Sequence, residues 1–415
     1  MSNQQKSAST IYKEKWKRVL DAVALRKPDR VPVAPVIEVF PMFYAGITIK
    51  EAMNDYKKAE EAYDKFFADF DPDMGWDPIF AFPARVLEKL DLQWFKWPGH
   101  GIPDNKIYQF VEGEYMKGNE YDEFIHDPSH FMVTKYLPRT FSSLQGLGNL
   151  AIRDMVWLGW FGALPGFAMP EVQAALKNLM EGAEELVRWY GFLNEYTEKM
   201  KNWGIPKAYG AFSFAPYDLL GDTLRGTRGI MADLFRQPKN VEKAVEKFIP
   251  IAIEMGINGA KASGNPFVWI WLHKGCKGFM SNEQFDRFYW PGLKDLIVGL
   301  ADANLIPVVY GEGDHTPRLE RMREIPSGKV IYHFEFTDMA KAKEILGDVA
   351  CISGNLPNSL LISGTPDEVR KNVKWLIDVV GKDGGFIMDT GQLIDEANPE
   401  NLKVFFDYTK EYGVY

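Results

Sequence analysis

Cysteine is nearly absent from this chain: Cys276 and Cys351 are the only two among 415 residues. Two thiols exclude a disulfide scaffold and, with no signal-like N-terminus, fit a reducing cytoplasm. Also missing is any long cluster of lysine and arginine, and the formal net charge is -9. That balance argues against nucleic acid or an anionic membrane as partner. No apolar run is long enough to cross a bilayer. The most apolar stretch, 155–169, is broken by glycines and Pro165, and it reads as buried or pocket-lining. Internal repeats and low-complexity linkers are lacking as well. Aromatics, by contrast, are plentiful: 12 Trp, 18 Tyr and 28 Phe serve either ordinary packing or a cavity for a flat ligand.

The length suits either one long α/β barrel with insertions or two domains. The order of elements decides between them. Apolar runs that read as strands begin at Arg30–Glu38, 74–80, 209–217, 259–263, 307–310, 330–335, 349–355 and 385–389. Helical patterns separate them, notably at 12–25, 49–70, 170–203 and 240–255. Capping boxes announce two more, at Ser281 with Gln284 and at Thr365 with Glu368. Eight alternations of strand and helix predict a (β/α)8 barrel, because each crossover helix lays the next strand parallel to the last. The reading is of one barrel domain over 1–415, with aromatic-rich insertions at about 92–138 and 151–169. The first insertion reads as a β-rich excursion and the stretch 267–273 as an aromatic loop.

One loop draws the chemistry together. After the strand that ends in Val309-Tyr310 comes Gly311-Glu312-Gly313-Asp314-His315, and then Thr316-Pro317 reads as an N-cap with proline at the first helical position. Two carboxylates and an imidazole therefore sit where a parallel barrel collects its functional groups, at the carboxyl end of a strand. The alternative is a solvated connection with acids near a helix N-terminus.

The pieces Arg30-Val-Pro-Val-Ala-Pro-Val-Ile-Glu38, Phe279-Met280-Ser281 with Phe285 and Pro291, Gly354-Asn355-Leu356-Pro357, Gly364-Thr365-Pro366-Asp367-Glu368 and Asn398-Pro399-Glu400-Asn401-Leu402 resemble the uroporphyrinogen decarboxylase superfamily. That superfamily includes barrel methyltransferases that act with corrinoid proteins. Its decarboxylases carry an arginine-rich loop after the first strand, whereas here Glu38-Val-Phe-Pro-Met-Phe-Tyr44 holds no arginine. Several propionates need several guanidinium partners, so a decarboxylase of that kind is the weaker reading. Members that methylate a thiol hold zinc through His and Cys positions that fall here on Tyr310, Glu312 and Gln392. Those three are not a thiolate zinc set, so zinc is not favoured and the metal assignment stays open.

The resemblance that remains implies a methyltransferase that moves a methyl group from a small methylated compound, above all an aryl methyl ether, to the cobalt of a separate corrinoid protein. A non-catalytic ligand binder on the same barrel is the rival of a different class. Residues at strand ends are the candidates for the chemistry: Glu312 first, for a proton or hydrogen bond to the departing oxygen, then Tyr310, His333, Glu335 and Asp389. His333 and Glu335 share one face of their strand by alternation, so one is expected to orient the other unless they form a core pair. Substrate contacts are expected from Glu38, Asp77, Phe212, Trp271, His273, His315, Asn355 and Gln392.

Overall fold

The computed structural model describes residues 6–415. Its parallel strands are almost wholly apolar runs, the pattern required where both faces of a sheet are covered. Two ring segments come first in the chain and are held by single bridges. Val33 pairs with Met388 and Ile37 with Ile394, Asp73 N donates to Val33 O at 2.8 Å, and Gly75 pairs with Lys207. A small sheet follows, with β1 (Phe95–Pro98) between β2 (Gly101–Ile102) and β3 (Gln109–Phe110). The main sheet runs β4 (Ala211–Phe214), β5 (Phe267–Leu272), β6 (Ile306–Gly311), β7 (Ile331–Phe334), β8 (Cys351–Ser353) and β9 (Phe386–Ile387), in chain order and parallel throughout. The bridged segments join its two edges, so eight segments form the ring of a (β/α)8 barrel, as expected.

Alternation along the strands sorts the side chains into two layers. Trp76, Trp269, Val308, Tyr310, Ile331, Cys351 and Ile387 pack inside the ring. Ile270, Leu272, Val309, Tyr332, Phe334 and Phe386 point outward into the helices. Burying each such side chain contributes about 1.5–3 kcal/mol, which makes the two layers the main source of cohesion. Helix starts follow their local chemistry: both capping boxes form, Ser281 with Gln284 and Thr365 with Glu368. At the central loop the N-cap is His315 rather than Thr316, which is the first residue of the turn. Asp314 accepts from Thr316 N at 2.8 Å, while the Thr316 hydroxyl accepts from Asp338 N.

Three expectations are corrected. Residues 259–263 are the end of the helix Pro238–Ser263, and the fourth strand of the barrel is β5, the stretch read as an aromatic loop. Small residues there serve helix packing: a Cβ on Gly259 would stand 2.7 Å from that of Ala211 on β4. The 92–138 excursion is β-structured only as far as Phe110; Tyr121–His126 and Pro128–Phe131 are α-helical, and the helical path runs on to Thr140. The 155–169 stretch is not buried. It forms short helical turns with Val156 70%, Trp157 87% and Phe161 62% exposed, because little of it lies against the barrel.

Candidate functional site

The chain leaving β4 does not turn straight into its crossover helix. It passes through Pro216–Asp218 and a π-helical segment, Leu219–Arg225, whose wider turns bring Asp218 and Asp222 over the end of β5. Fully buried, Asp218 accepts from the backbone N–H groups of His273 and Lys274 at 2.9 and 3.1 Å and from the Tyr289 hydroxyl at 2.5 Å. Burial, then the charge of Asp222, pushes its carboxyl up to about 6. Asp222 lies 2.6 Å from His273 Nδ1 and also receives the Lys274 ammonium. Burial works to raise the Asp222 carboxyl, but these two partners hold it below the usual range.

His273 is thereby fixed through Nδ1 and aimed through Nε2. Burial alone would lower its pKa, yet the Asp222 hydrogen bond and the charges of Asp218, Asp222 and Glu312 push it up to about 9, so the ring is an imidazolium at neutral pH. Its Nε2 lies 3.8 Å from Glu312 Oε1. Enclosure in the mouth raises the Glu312 carboxyl above its ordinary value; His273 pulls it down, while Glu335 and Asp222 push it further up. With 43% of its side chain exposed, Glu312 still faces the open mouth.

A cavity of about 280 Å³ lies against this chain of groups, lined by Trp94, Phe110, Tyr115, Tyr136, Phe214, Asp218, Leu219, Asp222, Thr223 and His273. Trp94 and Phe110 stack with their ring planes 3° apart and centroids at 5.5 Å. The insertion at 92–138 thus roofs a pocket whose floor carries Asp218, Asp222 and His273, with Glu312 next to His273 on the side of the barrel mouth. A planar apolar ligand fits such a wall, and the floor holds a proton at its edge.

Other expected residues have different places. Tyr310, His333 and Asp389 form a buried brace within the ring. The Tyr310 ring lies 4.1 Å from that of His333 and its hydroxyl donates to Gly391 O at 3.1 Å. His333 has Nδ1 at 3.2 Å from Asp389 Oδ2 and Nε2 at 3.2 Å from Gly391 O. Asp389 also accepts from Val36 N and Thr390 N, which ties the last ring segment to the first. These three are therefore not free groups at the mouth. The carboxylate beside His333 is Asp389, and not Glu335, which accepts from Gly313 N and from Gln392 Nε2. Glu335, Asn355 and Gln392 line a separate cleft of about 530 Å³ beside the mouth. There Asn355 donates to Glu335 O and Thr337 O, both at 3.1 Å, so its amide holds two strand ends together.

Glu38 is buried and accepts from the Tyr108 hydroxyl at 3.0 Å, which anchors the roof to the first ring segment. Burial and the adjacent Asp395 carboxyl push it well above the usual range. Asp77 points outward, away from the pocket. It pairs with Lys207 at 2.6 Å and accepts from Tyr209 at 2.6 Å, and the inward position is taken by Trp76. His315 is fully buried beneath the loop with Nε2 at 3.0 Å from Glu312 O, and burial pushes it down to about 4. Phe212 packs on Tyr209 at 4.7 Å and Trp271 on Tyr310 at 4.7 Å, both in the ring wall.

Among the described residues no three His, Cys, Asp or Glu side chains converge as a metal would require. Tyr310, Glu312 and Gln392 in particular do not fit zinc: the tyrosine and glutamine are bound to Gly391 and Glu335, and the set offers one carboxylate and no thiolate. The groups that sequence reasoning missed are Asp218 and Asp222. Their spacing of one helical turn directly after a strand end is the signal that marks them.

The geometry can be set beside known proteins. Residues 202–412, just over half of the chain, match the family Uroporphyrinogen decarboxylase (URO-D). A uroporphyrinogen decarboxylase of Psychromonas ingrahamii is 26% identical over 208 residues, covering 49% of this chain and 57% of that protein. That of Chlorobium phaeovibrioides is 24% identical over 183 residues, 43% of this chain and 51% of that one. The chain thus matches only about half the length of these relatives. A solved methyltransferase from Methanosarcina mazei shares the fold at a TM-score of 0.60 and 15% identity, with 96% of this chain and 98% of that one covered. By its matched stretch, its strand order and its barrel, the chain belongs to the uroporphyrinogen decarboxylase family.

Proposed function

We propose that this protein is a methyltransferase that takes the methyl group of a small aryl methyl ether and delivers it to the reduced cobalt of a separate corrinoid protein. The observation that carries the reading is the aromatic pocket set on Asp222 and His273, with Glu312 3.8 Å beyond His273 Nε2. An aryl ether lies flat against Trp94, Phe110 and Phe214 with its oxygen toward the floor. As the methyl carbon–oxygen bond breaks, the electron pair stays on the aryl oxygen. That oxygen takes a proton from the His273 and Glu312 pair, while Asp222 keeps the imidazole aligned through Nδ1. The methyl leaves toward cobalt(I), which supplies the electron pair of the new bond, so the products are a phenol and a methylated acceptor. In this scheme Glu312 reaches the departing oxygen from the mouth side of His273, and His273 is its proton reservoir.

The methyltransferase from Methanosarcina mazei supports a barrel of this shape at work on methyl groups. The relatives named decarboxylases point to a second chemistry, but the loop after the first ring segment holds no arginine and Arg139 and Arg225 are already engaged by Glu120 and by Glu114 with Asp233. Among the residues that line the pocket there is no arginine to receive a polycarboxylate. The test is demethylation of a methoxyarene panel in the presence of reduced corrinoid protein: phenol release that depends on the corrinoid supports the reading, and binding without release supports a non-catalytic role.

A further inference from the structure

We infer that the pocket selects uncharged methoxyarenes and turns away those that carry a carboxylate, a specificity that rests on the aryl-ether reading above. The argument is one of charge placement. No lysine or arginine lines the cavity, whereas Asp218 and Asp222 do. Cations that stand next to the lining residues are committed elsewhere. Arg139, three positions after Tyr136, makes two hydrogen bonds to Glu120 and one to Tyr115 O. Arg225 donates to Asp233, Glu114 and Met116 O, and Lys274 to Asp222.

The one cationic group in the wall is His273, and it has a task. Its Nδ1 is held by Asp222, which leaves Nε2 as the donor facing Glu312 and the ligand. A carboxylate on the substrate would either sit unpaired among aromatic rings close to two acids, which is costly, or take Nε2 and displace the ether oxygen from the His273 and Glu312 pair. Either way the anion binds weakly or unproductively. Polar atoms left for a neutral ligand exist: the buried Trp94 Nε1 has no acceptor among the described residues, and Thr223 adds a hydroxyl. Those groups suit a phenol, an amide or a second ether oxygen.

An isosteric pair tests this directly. Meta-methoxybenzamide and meta-methoxybenzoate share shape and methyl group and differ in charge. Quenching of tryptophan fluorescence, which needs no corrinoid partner, gives a dissociation constant for each on the full chain at neutral pH. The benzamide is expected to bind tenfold or more tightly, and Phe110→Arg, which removes one ring of the wall for both ligands and places a cation at an exposed point of the roof, is expected to narrow that ratio severalfold. Equal or tighter binding of the benzoate by the unaltered protein overturns the inference, as does a failure of both to bind. Turnover with corrinoid separates it from the reading beneath it. If the benzoate is demethylated more efficiently than the benzamide, the aryl-ether reading stands and the charge selectivity falls. If the benzamide binds more tightly but neither is demethylated, the selectivity stands and the aryl-ether reading falls.

Discussion

The roof of the pocket and its floor come from different parts of the chain. Trp94, Phe110, Tyr115 and Tyr136 stand on an excursion that precedes residue 202, outside the stretch that matches the family, whereas Asp218, Asp222, His273 and Glu312 lie within it. The roof is aromatic, and it is anchored on the barrel where Tyr108 donates to Glu38, Tyr121 to Asp233, Arg225 to Glu114 and Met116 O, and Thr227 N to Glu112. The floor is a line of ionisable groups fixed by backbone amides and by one another. On the proposed reading such a division separates two tasks: the floor handles a proton and its acids turn away an anion, and the roof sets the shape of the ligand.

The comparison can be broken most forcefully at an acid that belongs to neither surface. Asp77 is buried on the outer side of the ring with Lys207, so Asp77→Ala should cost about 3–5 kcal/mol in denaturant unfolding by leaving the lysine unpaired. The rate per folded molecule should hold; a fall would place Asp77 in the chemistry. Next in size, Glu312→Gln should leave folding intact and lower the demethylation rate on a poor leaving group by about a hundredfold or more. A substrate whose phenol is more acidic should suffer less. Asp222→Asn should lose about tenfold, since it leaves the imidazole present but less basic and less well aligned.

The same group sets a pH dependence. With His273 pushed up to about 9, the rate should fall as pH rises through that value, and Asp222→Asn should move the fall to lower pH. The linked stability has the same sign. A histidine raised above its ordinary value contributes fully below about 6.5 and loses that contribution as pH rises toward about 9, so the melting temperature should decline across this interval and do so less in His273→Gln. The smallest effect is expected at the roof. Trp94→Ala should raise KM several fold, about the worth of one aromatic contact, and leave kcat within about twofold. A large loss of kcat there would erase the distinction between roof and floor.

Much of this arrangement was legible in the sequence, and the failures have physical causes. Continuous apolar runs and capping boxes at Ser281 and Thr365 marked the later strands and helices because local chemistry dictates them. Phe267–Leu272 was misplaced because a run of large aromatics reads equally as a loop or a buried strand, while the glycine and alanines at 259–263 are small for helix packing against β4. Asp77 was assigned to the pocket although alternation is unforgiving: one residue along a strand exchanges inside for outside, and Trp76 takes the inward place. Glu312 and His273 were each recognised as candidates, but their pairing joins two strand ends and depends on the ring. Asp222 lies on a π-helical turn, and although its spacing from Asp218 after a strand end marks the pair, only the fold shows its contact with His273. His333 and Asp389, 56 positions apart, were singled out separately, and packing shows them to be one brace.

The central claim is that methyl leaves an aryl ether at the Glu312 and His273 floor for cobalt. The most direct measurement mixes the protein anaerobically with a reduced corrinoid protein and a methoxyarene labelled in its methyl group, and follows the label together with the cobalt spectrum. The account predicts that label reaches cobalt in step with release of one phenol, and that Glu312→Gln slows both by the same factor of about a hundred. Label that remains on the ether while the ligand is bound, or transfer that is unchanged in Glu312→Gln on a poor leaving group, would contradict it.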